Sequence, residues 1–184
     1  MKKILILAVC IMGVSLSVDA QKYFTREGKI AFFSDAPVEK IEAHNSSATS
    51  VVDLESGRME FAVLIKAFQF EKALMQEHFN ENYMESSKFP KATFKGAVTN
   101  MDEIDLSKDG TYTADVKGEL TIHGVTREVE TEGTFVVEGG AISAQSSFEV
   151  AVADYDIEIP AVVKDNIAKI VRIDVDIDYE KLDR

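Results

Sequence analysis

Apolar and polar residues alternate along most of this chain with a period of two, the pattern of strands that turn one face to a dry interior and one to water. Residues 111–122 show it best. Tyr112, Ala114, Val116, Gly118, Leu120 and Ile122 fall on one face, with Thr113, Asp115, Lys117, Glu119 and Thr121 on the other. His123-Gly124 follows, a two-residue link suited to the positive φ angles of a tight hairpin. The returning strand places Val125, Val129, Phe135 and Val137 inward and Glu128, Glu130 and Glu132 outward, before a second turn at Glu138-Gly139-Gly140. Met59, Phe61, Val63 and Ile65 alternate in the same way, as do Ala92, Phe94, Gly96 and Val98. Ile142, Ala144, Ser146, Phe148, Val150 and Val152 make another apolar face, and Val171, Ile173, Val175, Ile177 and Tyr179 the last. Weaker strands at 29–34, 41–43 and 50–54 bring the number to about eight or nine. Links this short join antiparallel neighbours.

Helical spacing occurs convincingly once. Over residues 71–79, Leu74, Met75, His78 and Phe79 gather on one side, opposite Gln76 and Glu77. A further short turn is expected at 162–166. Many strands with a single helix predict a mainly β fold: an antiparallel barrel of about eight strands, closed so that no sheet edge is left exposed. The helix would serve as its lid or plug.

The first residues stand outside that pattern. Lys2 and Lys3 precede a nearly unbroken apolar run, and Val18-Asp19-Ala20 offers small residues where a signal peptidase reads. Residues 1–20 are therefore expected to be a cleaved export signal, with residues 21–184 forming one barrel domain in the periplasm or outside the cell. The run falls short of the roughly 20 residues a membrane span needs, so no span is expected in the mature chain. The single cysteine, Cys10, lies within this segment. The mature domain then has no disulfide and no thiolate for a metal or a nucleophile.

Charge narrows the partners. With 20 Lys and Arg against 32 Asp and Glu, the net charge is −12. That is the wrong sign for neutralising nucleic-acid phosphates or docking on anionic lipid. A hydrophobic content of 46% is too high for a disordered chain.

An eight-stranded barrel is just wide enough either to be filled by side chains or to hold one small ligand. Small inward residues recur here, at Ala92, Gly96, Ala114, Gly118, Ala144 and Ser146, each beside a larger apolar neighbour. They either leave room for a dry pocket or relieve crowding where strands coil, and alternation alone does not choose between the two. If the barrel is hollow, its ligand would meet Phe61, Val63, Phe94, Val116, Leu120, Phe135 and Phe148 on the walls. Gly96, Ala114, Gly118 and Ala144 would give it space, and Leu74, His78, Phe79 and Tyr155 would cover it. Arg127, in phase with Val125 and Val129, is the candidate partner for a charged head, and Lys88 and Lys91, which flank Pro90, are the other bases considered.

Other chemistry finds little support. His44, His78 and His123 are too scattered to suggest zinc. Asp174, Asp176 and Asp178 alternate with β-branched residues as a wet strand face, without the glycine and distal glutamate of a calcium loop. Nucleotide and hydrolase fingerprints are missing from the sequence. No metal, cofactor or catalytic residue is expected. Two alternatives stay open: a barrel hydrolase or isomerase using His78 or Asp154 as acid or base, and a filled structural barrel. The sequence leaves a homodimer open.

The segment Gly118-Glu119-Leu120-Thr121-Ile122-His123-Gly124-Val125-Thr126 resembles the most recognisable motif of the YceI-like family. Further pieces match in the family's order: His78-Phe79, Phe89-Pro90-Lys91-Ala92-Thr93-Phe94, Asp154-Tyr155-Asp156-Ile157 and the closing strand 167–179. The resemblance implies a lipocalin-like barrel, periplasmic or secreted, that holds a polyisoprenoid or other amphiphilic lipid. This chain departs from the family at three places. Gly28-Lys29-Ile30-Ala31-Phe32-Phe33 replaces a His-Ser-x-Ile-x-Phe strand. Met75-Gln76-Glu77-His78-Phe79 and Val152-Ala153-Asp154-Tyr155-Asp156-Ile157 each lack an arginine. Arginine pairs phosphate bidentately, so these departures leave the implied fold intact and put a diphosphate-bearing ligand in doubt.

Overall fold

The computed structural model describes residues 22–182, so the expected export signal at 1–20 lies outside the described residues. The alternating segments form β1 (Lys22–Asp35), β2 (Lys40–Asp53), β3 (Arg58–Leu64), β4 (Gln69–Phe70) and β5 (Lys91–Val98). They continue with β6 (Gly110–Ile122), β7 (Val125–Glu138), β8 (Ala141–Ala151) and β9 (Ile170–Lys181). All strands except the two-residue β4 follow one another around a closed antiparallel barrel of eight. Closure comes from β1, which pairs with β2 on one side and β9 on the other.

The hairpin at His123-Gly124 takes the predicted form, with φ of 52° and 78°. Elsewhere the sequence pattern breaks where the strand does not. The two segments expected at 41–43 and 50–54 are one strand, β2. Its polar middle hides this, because Asn45 is buried at a position the alternation reserves for apolar residues. Asn45 is satisfied there: its amide donates to the Leu64 carbonyl at 3.0 Å, and its oxygen accepts from the Ser47 amide at 2.8 Å.

The helix is shorter than its apolar spacing suggests. α1 covers Ala73–His78 and runs on into a wide π-helical turn, Phe79–Tyr83. Lys72, at the start, supplies no side-chain cap. At the other end the Asn80 side chain donates to the Gln76 carbonyl at 2.8 Å, competing with the regular ladder. The turn expected at 162–166 is one 3₁₀ turn, Ala161–Val163.

The two ends of the barrel differ. One is a packed floor, where Val52, Met59, Phe135, Val137, Ile142 and Tyr179 join Ile104 from the β5–β6 connection. The other carries α1, the His123-Gly124 hairpin, the β1–β2 loop and the long β8–β9 connection. Within the floor the Tyr179 hydroxyl sits 2.8 Å from Ser50 Oγ. Burial pushes the Tyr179 phenol up to about 12, with the Ser50 bond pulling weakly the other way.

A base-induced loss of stability follows. An unfolded tyrosine ionises near 10, whereas Tyr179 keeps its proton to about 12. Its contribution is therefore intact below pH 10 and is lost as pH rises through the folded value. We expect the protein to lose about 2–3 kcal/mol from this group across that window. Urea midpoints measured through the same range should show that slope flattened in Tyr179→Phe. An equal slope in both proteins would assign it elsewhere.

Candidate ligand cavity

Between floor and lid the barrel is hollow. The inward faces enclose a cavity of about 590 Å³, within the roughly 300–1,000 Å³ typical of small-molecule sites. Its walls come from every part of the barrel: Phe61 and Val63 on β3, Phe94 on β5, Val116 and Leu120 on β6, Phe148 and Val150 on β8. Ala114, Phe135 and Ala144 line its lower part, toward the floor. Leu74, His78 and Phe79 cover it from the lid, and Tyr155 from the β8–β9 connection. The polar groups on this surface are few, among them Thr93, Thr131, Ser146 and Asn166.

The lid is held by aromatic packing. Phe79 stacks on Phe32 at 5.3 Å between ring centroids and meets Phe70 at 5.0 Å and Phe68 at 5.7 Å. Phe68 and Phe70 are in place because β4 pairs with Ala43 and His44 of β2. Each such ring pair adds about 0.5–1.5 kcal/mol beyond area burial. The rim is apolar and open to solvent, with Leu74 60% and Val162 90% exposed. There Lys72 pairs with Glu39 at 3.1 Å, and the two neutralise each other where they border the cavity.

His123 clasps the lid-end connections together. Its Nδ1 donates to the Tyr155 carbonyl at 3.2 Å, while Nε2 lies 3.0 Å from the Glu85 carboxylate and Phe89 packs against the ring at 4.6 Å. A carbonyl only accepts, so the Nδ1 proton is required. His123 thus joins the hairpin to the segment after α1 and to the β8–β9 connection. His44 is on the outer wall, 2.5 Å from Glu42. Among the described residues no three His, Cys, Asp or Glu side chains converge, and neither the His78 ring nor the Asp154 carboxylate hydrogen-bonds another side chain.

All the residues expected to surround a ligand border this cavity except Gly96, Gly118 and Arg127. Arg127 is in phase but beyond the cavity, where its Nε donates to the Asp154 carbonyl at 2.8 Å. The glycines correct the sequence reading more sharply. Gly96 and Gly118 face each other across β5 and β6, and the Phe94 ring lies over them. A Cβ on Gly118 would stand 2.5 Å from the Lys95 carbonyl oxygen, 2.6 Å from the Gly96 Cα and 2.7 Å from the Phe94 ring. Their missing side chains make room for the phenylalanine ring and the close approach of the two strands. Sequence reasoning also left out Ile30 and Phe32 of β1, Ile173 and Val175 of β9, and Ile157, Ile159 and Val163 of the β8–β9 connection. The strand residues carried the signal in their alternation; the connection residues have no periodicity to reveal them.

Fold and cavity together define a lipocalin-like barrel, floored at one end and lidded at the other. The chain belongs to the YceI-like domain family, which matches residues 14–179. A UPF0312 protein from Pseudomonas fluorescens is 38% identical over 60 residues, 33% of this chain and 29% of that relative's length. Two solved structures share the fold. A polyisoprenoid-binding domain from Saccharophagus degradans, implicated in plant cell wall breakdown, matches with a TM-score of 0.77 and 15% identity, over 89% of this chain and 100% of its own. Burkholderia cenocepacia BcnA matches with a TM-score of 0.67 and 16% identity, over 83% of this chain and 96% of its own.

The glycine pair yields a direct test. Gly118→Ala should destabilise the barrel by about 2 kcal/mol, because the two nearest colliding atoms are backbone and cannot swing aside. Chemical denaturation measures it; a fully stable variant would show that the two strands can part without cost.

Proposed function

We propose that this protein is an exported, non-catalytic carrier that holds one amphiphilic lipid, isoprenoid or fatty-acyl in kind, with its hydrocarbon inside the barrel. The observation that carries this reading is the enclosed apolar cavity. A chain buried there gains about 0.8 kcal/mol per methylene before ordering losses, and the few polar groups around it offer no recognition of a compact polar substrate. The polyisoprenoid-binding description of the Saccharophagus degradans domain supports the same class of ligand. The apolar run and small-residue site within residues 1–20 support export to the periplasm or beyond.

Native mass spectrometry followed by organic extraction should reveal a co-purified lipid. Val116→Phe and Val129→Phe add bulk at half-buried cavity positions. Each should weaken uptake of the hydrophobic dye N-phenyl-1-naphthylamine by about tenfold or more, equivalent to about 1.4 kcal/mol. Folded variants that take up dye like the parent protein would place the ligand elsewhere.

A further inference from the structure

Two segments cover the cavity, the lid (71–90) and the β8–β9 connection (152–169). Each has a firm half and a loose half, and the firm halves meet at His123. Met84 and Ser86 of the lid and Tyr155 of the connection are buried there. His123 bonds the Glu85 carboxylate and the Tyr155 carbonyl, and Arg127 Nε donates to the Asp154 carbonyl at 2.8 Å. The Pro90 carbonyl accepts from the Ile65 amide at 3.0 Å. Glu85, His123 and Asp156 are also the three non-glycine residues with positive φ among the described residues, at 41°, 52° and 55°. Backbone in that region persists only where its surroundings fix it from several sides. This corner is rigid.

The loose halves lie over the mouth. Every residue of α1 is exposed or half-buried, and so is every residue from 158 to 166. Leu74, Met75 and His78 of the first border the cavity, as do Ile159, Val163 and Asn166 of the second. Among the described residues, one polar bond joins 71–78 to another element: Lys72 Nζ donates to Glu39 Oε1 at 3.1 Å.

Glu39 is the fixed post of that bond. It stands on the β1–β2 loop, which the connection holds from the other side. The Val38 amide donates to the Asp165 carbonyl at 3.1 Å, and the Asn166 side chain donates to the second Glu39 oxygen at 3.5 Å. Lys72 is 61% exposed, and an ion pair so placed exchanges its partner for water at little cost. Opening the His123 corner would break several bonds at once. Beyond α1, Phe79 is packed among Phe32, Phe68 and Phe70 and marks where the weakly held part ends. Leu74 and Val162, exposed on the two lips, give a crossing hydrocarbon apolar surface on both sides.

We propose that α1 is a gate hinged at Phe79, with Glu39 as its latch. A lipid chain enters and leaves between α1 and residues 158–166, while the His123 corner stays shut. The inference rests on the carrier reading above and adds to it the route of the cargo.

The test follows N-phenyl-1-naphthylamine, bright in the cavity and dark in water, by stopped-flow mixing for uptake and rapid dilution for release. Glu39→Gln should raise both rates by about threefold or more and leave their ratio, the Kd, within about twofold, because a gate alters access and not the bound state. Lys72→Gln, the other half of the pair, should do the same and serves if the first variant does not fold. Full-length protein carrying Cys10→Ser, so that added thiols are the only ones, then receives Glu39→Cys with Lys72→Cys. After dye loading, which shows the cavity intact, a reducible bismaleimide joins the two positions. The linked protein should release dye at least about tenfold more slowly than the parent, and cleaving the linker should restore the parent rate or exceed it. Lys66→Cys with Ser87→Cys, whose parent side chains meet at 3.2 Å, carries the same linker on the firm half and should change release by less than about twofold. Release at the parent rate from the linked gate, or slowing by the Lys66–Ser87 link in its place, overturns the gate and leaves the carrier. A weakened Kd with unchanged uptake in Glu39→Gln makes Glu39 a contact of the cargo and overturns the latch. A parent protein that binds no dye overturns the carrier and the gate with it.

Discussion

A sheet closed on itself has a lumen whose width is set by strand number, and side chains must either fill that width or leave it empty. Everything distinctive here follows from how the chain distributes bulk along eight strands. Large residues crowd one end, where Phe135, Tyr179 and Ile142 meet Ile104 from the β5–β6 connection. Above it the walls mix large residues such as Phe61, Phe94, Leu120 and Phe148 with small ones such as Ala92 and Ser146, and the other end is roofed by residues that belong to no barrel strand. The result is a cup. A filled barrel would need a large residue at every inward position, and at Ala92, Gly133, Ala144 and Ser146 the sequence withholds them.

The roof is a separate cooperative problem. α1 is too short to be stable by itself and buries none of its residues fully. It stays because Phe79 sits among Phe32, Phe68 and Phe70, and because the chain after it is pinned through Glu85 to His123. These contacts join elements that the barrel ladder does not. The lid end can therefore loosen while the ladder stays whole, as elements with few buried contacts do. The exposed side chains of Leu74 and Val162 lie at that end.

How much of this could be read from sequence depends on how local the cause is. Alternation is local, so the strands, the hairpin at His123-Gly124 and the inward faces were legible. Asn45 broke the pattern because its amide finds a carbonyl nineteen residues away, which no window along β2 can show. Gly96 and Gly118 looked like room because a missing side chain reads as space; only the register that sets them face to face, beneath Phe94, shows that the space is used. The Ile157, Ile159 and Val163 contribution was illegible for the opposite reason: these residues lie in an irregular connection, placed by where β8 ends and β9 begins. The seam between β7 and β8, where the ladder stops short of residues 125–132 and 147–151, was hidden too, since each strand is regular and only their divergence opens it.

Charge connects that divergence to the sequence. Unpaired strand edges invite association with other strands, and charged residues along them discourage it. Glu128, Glu130 and Glu132 on β7 and Glu149 on β8 mark the two edges of the seam. Lys117 meets the first two of these from β6, at 3.4 and 2.6 Å, and Glu132 is left without a cation among the described residues. The acidic strip thereby guards the part of the wall that the β7–β8 ladder leaves unpaired.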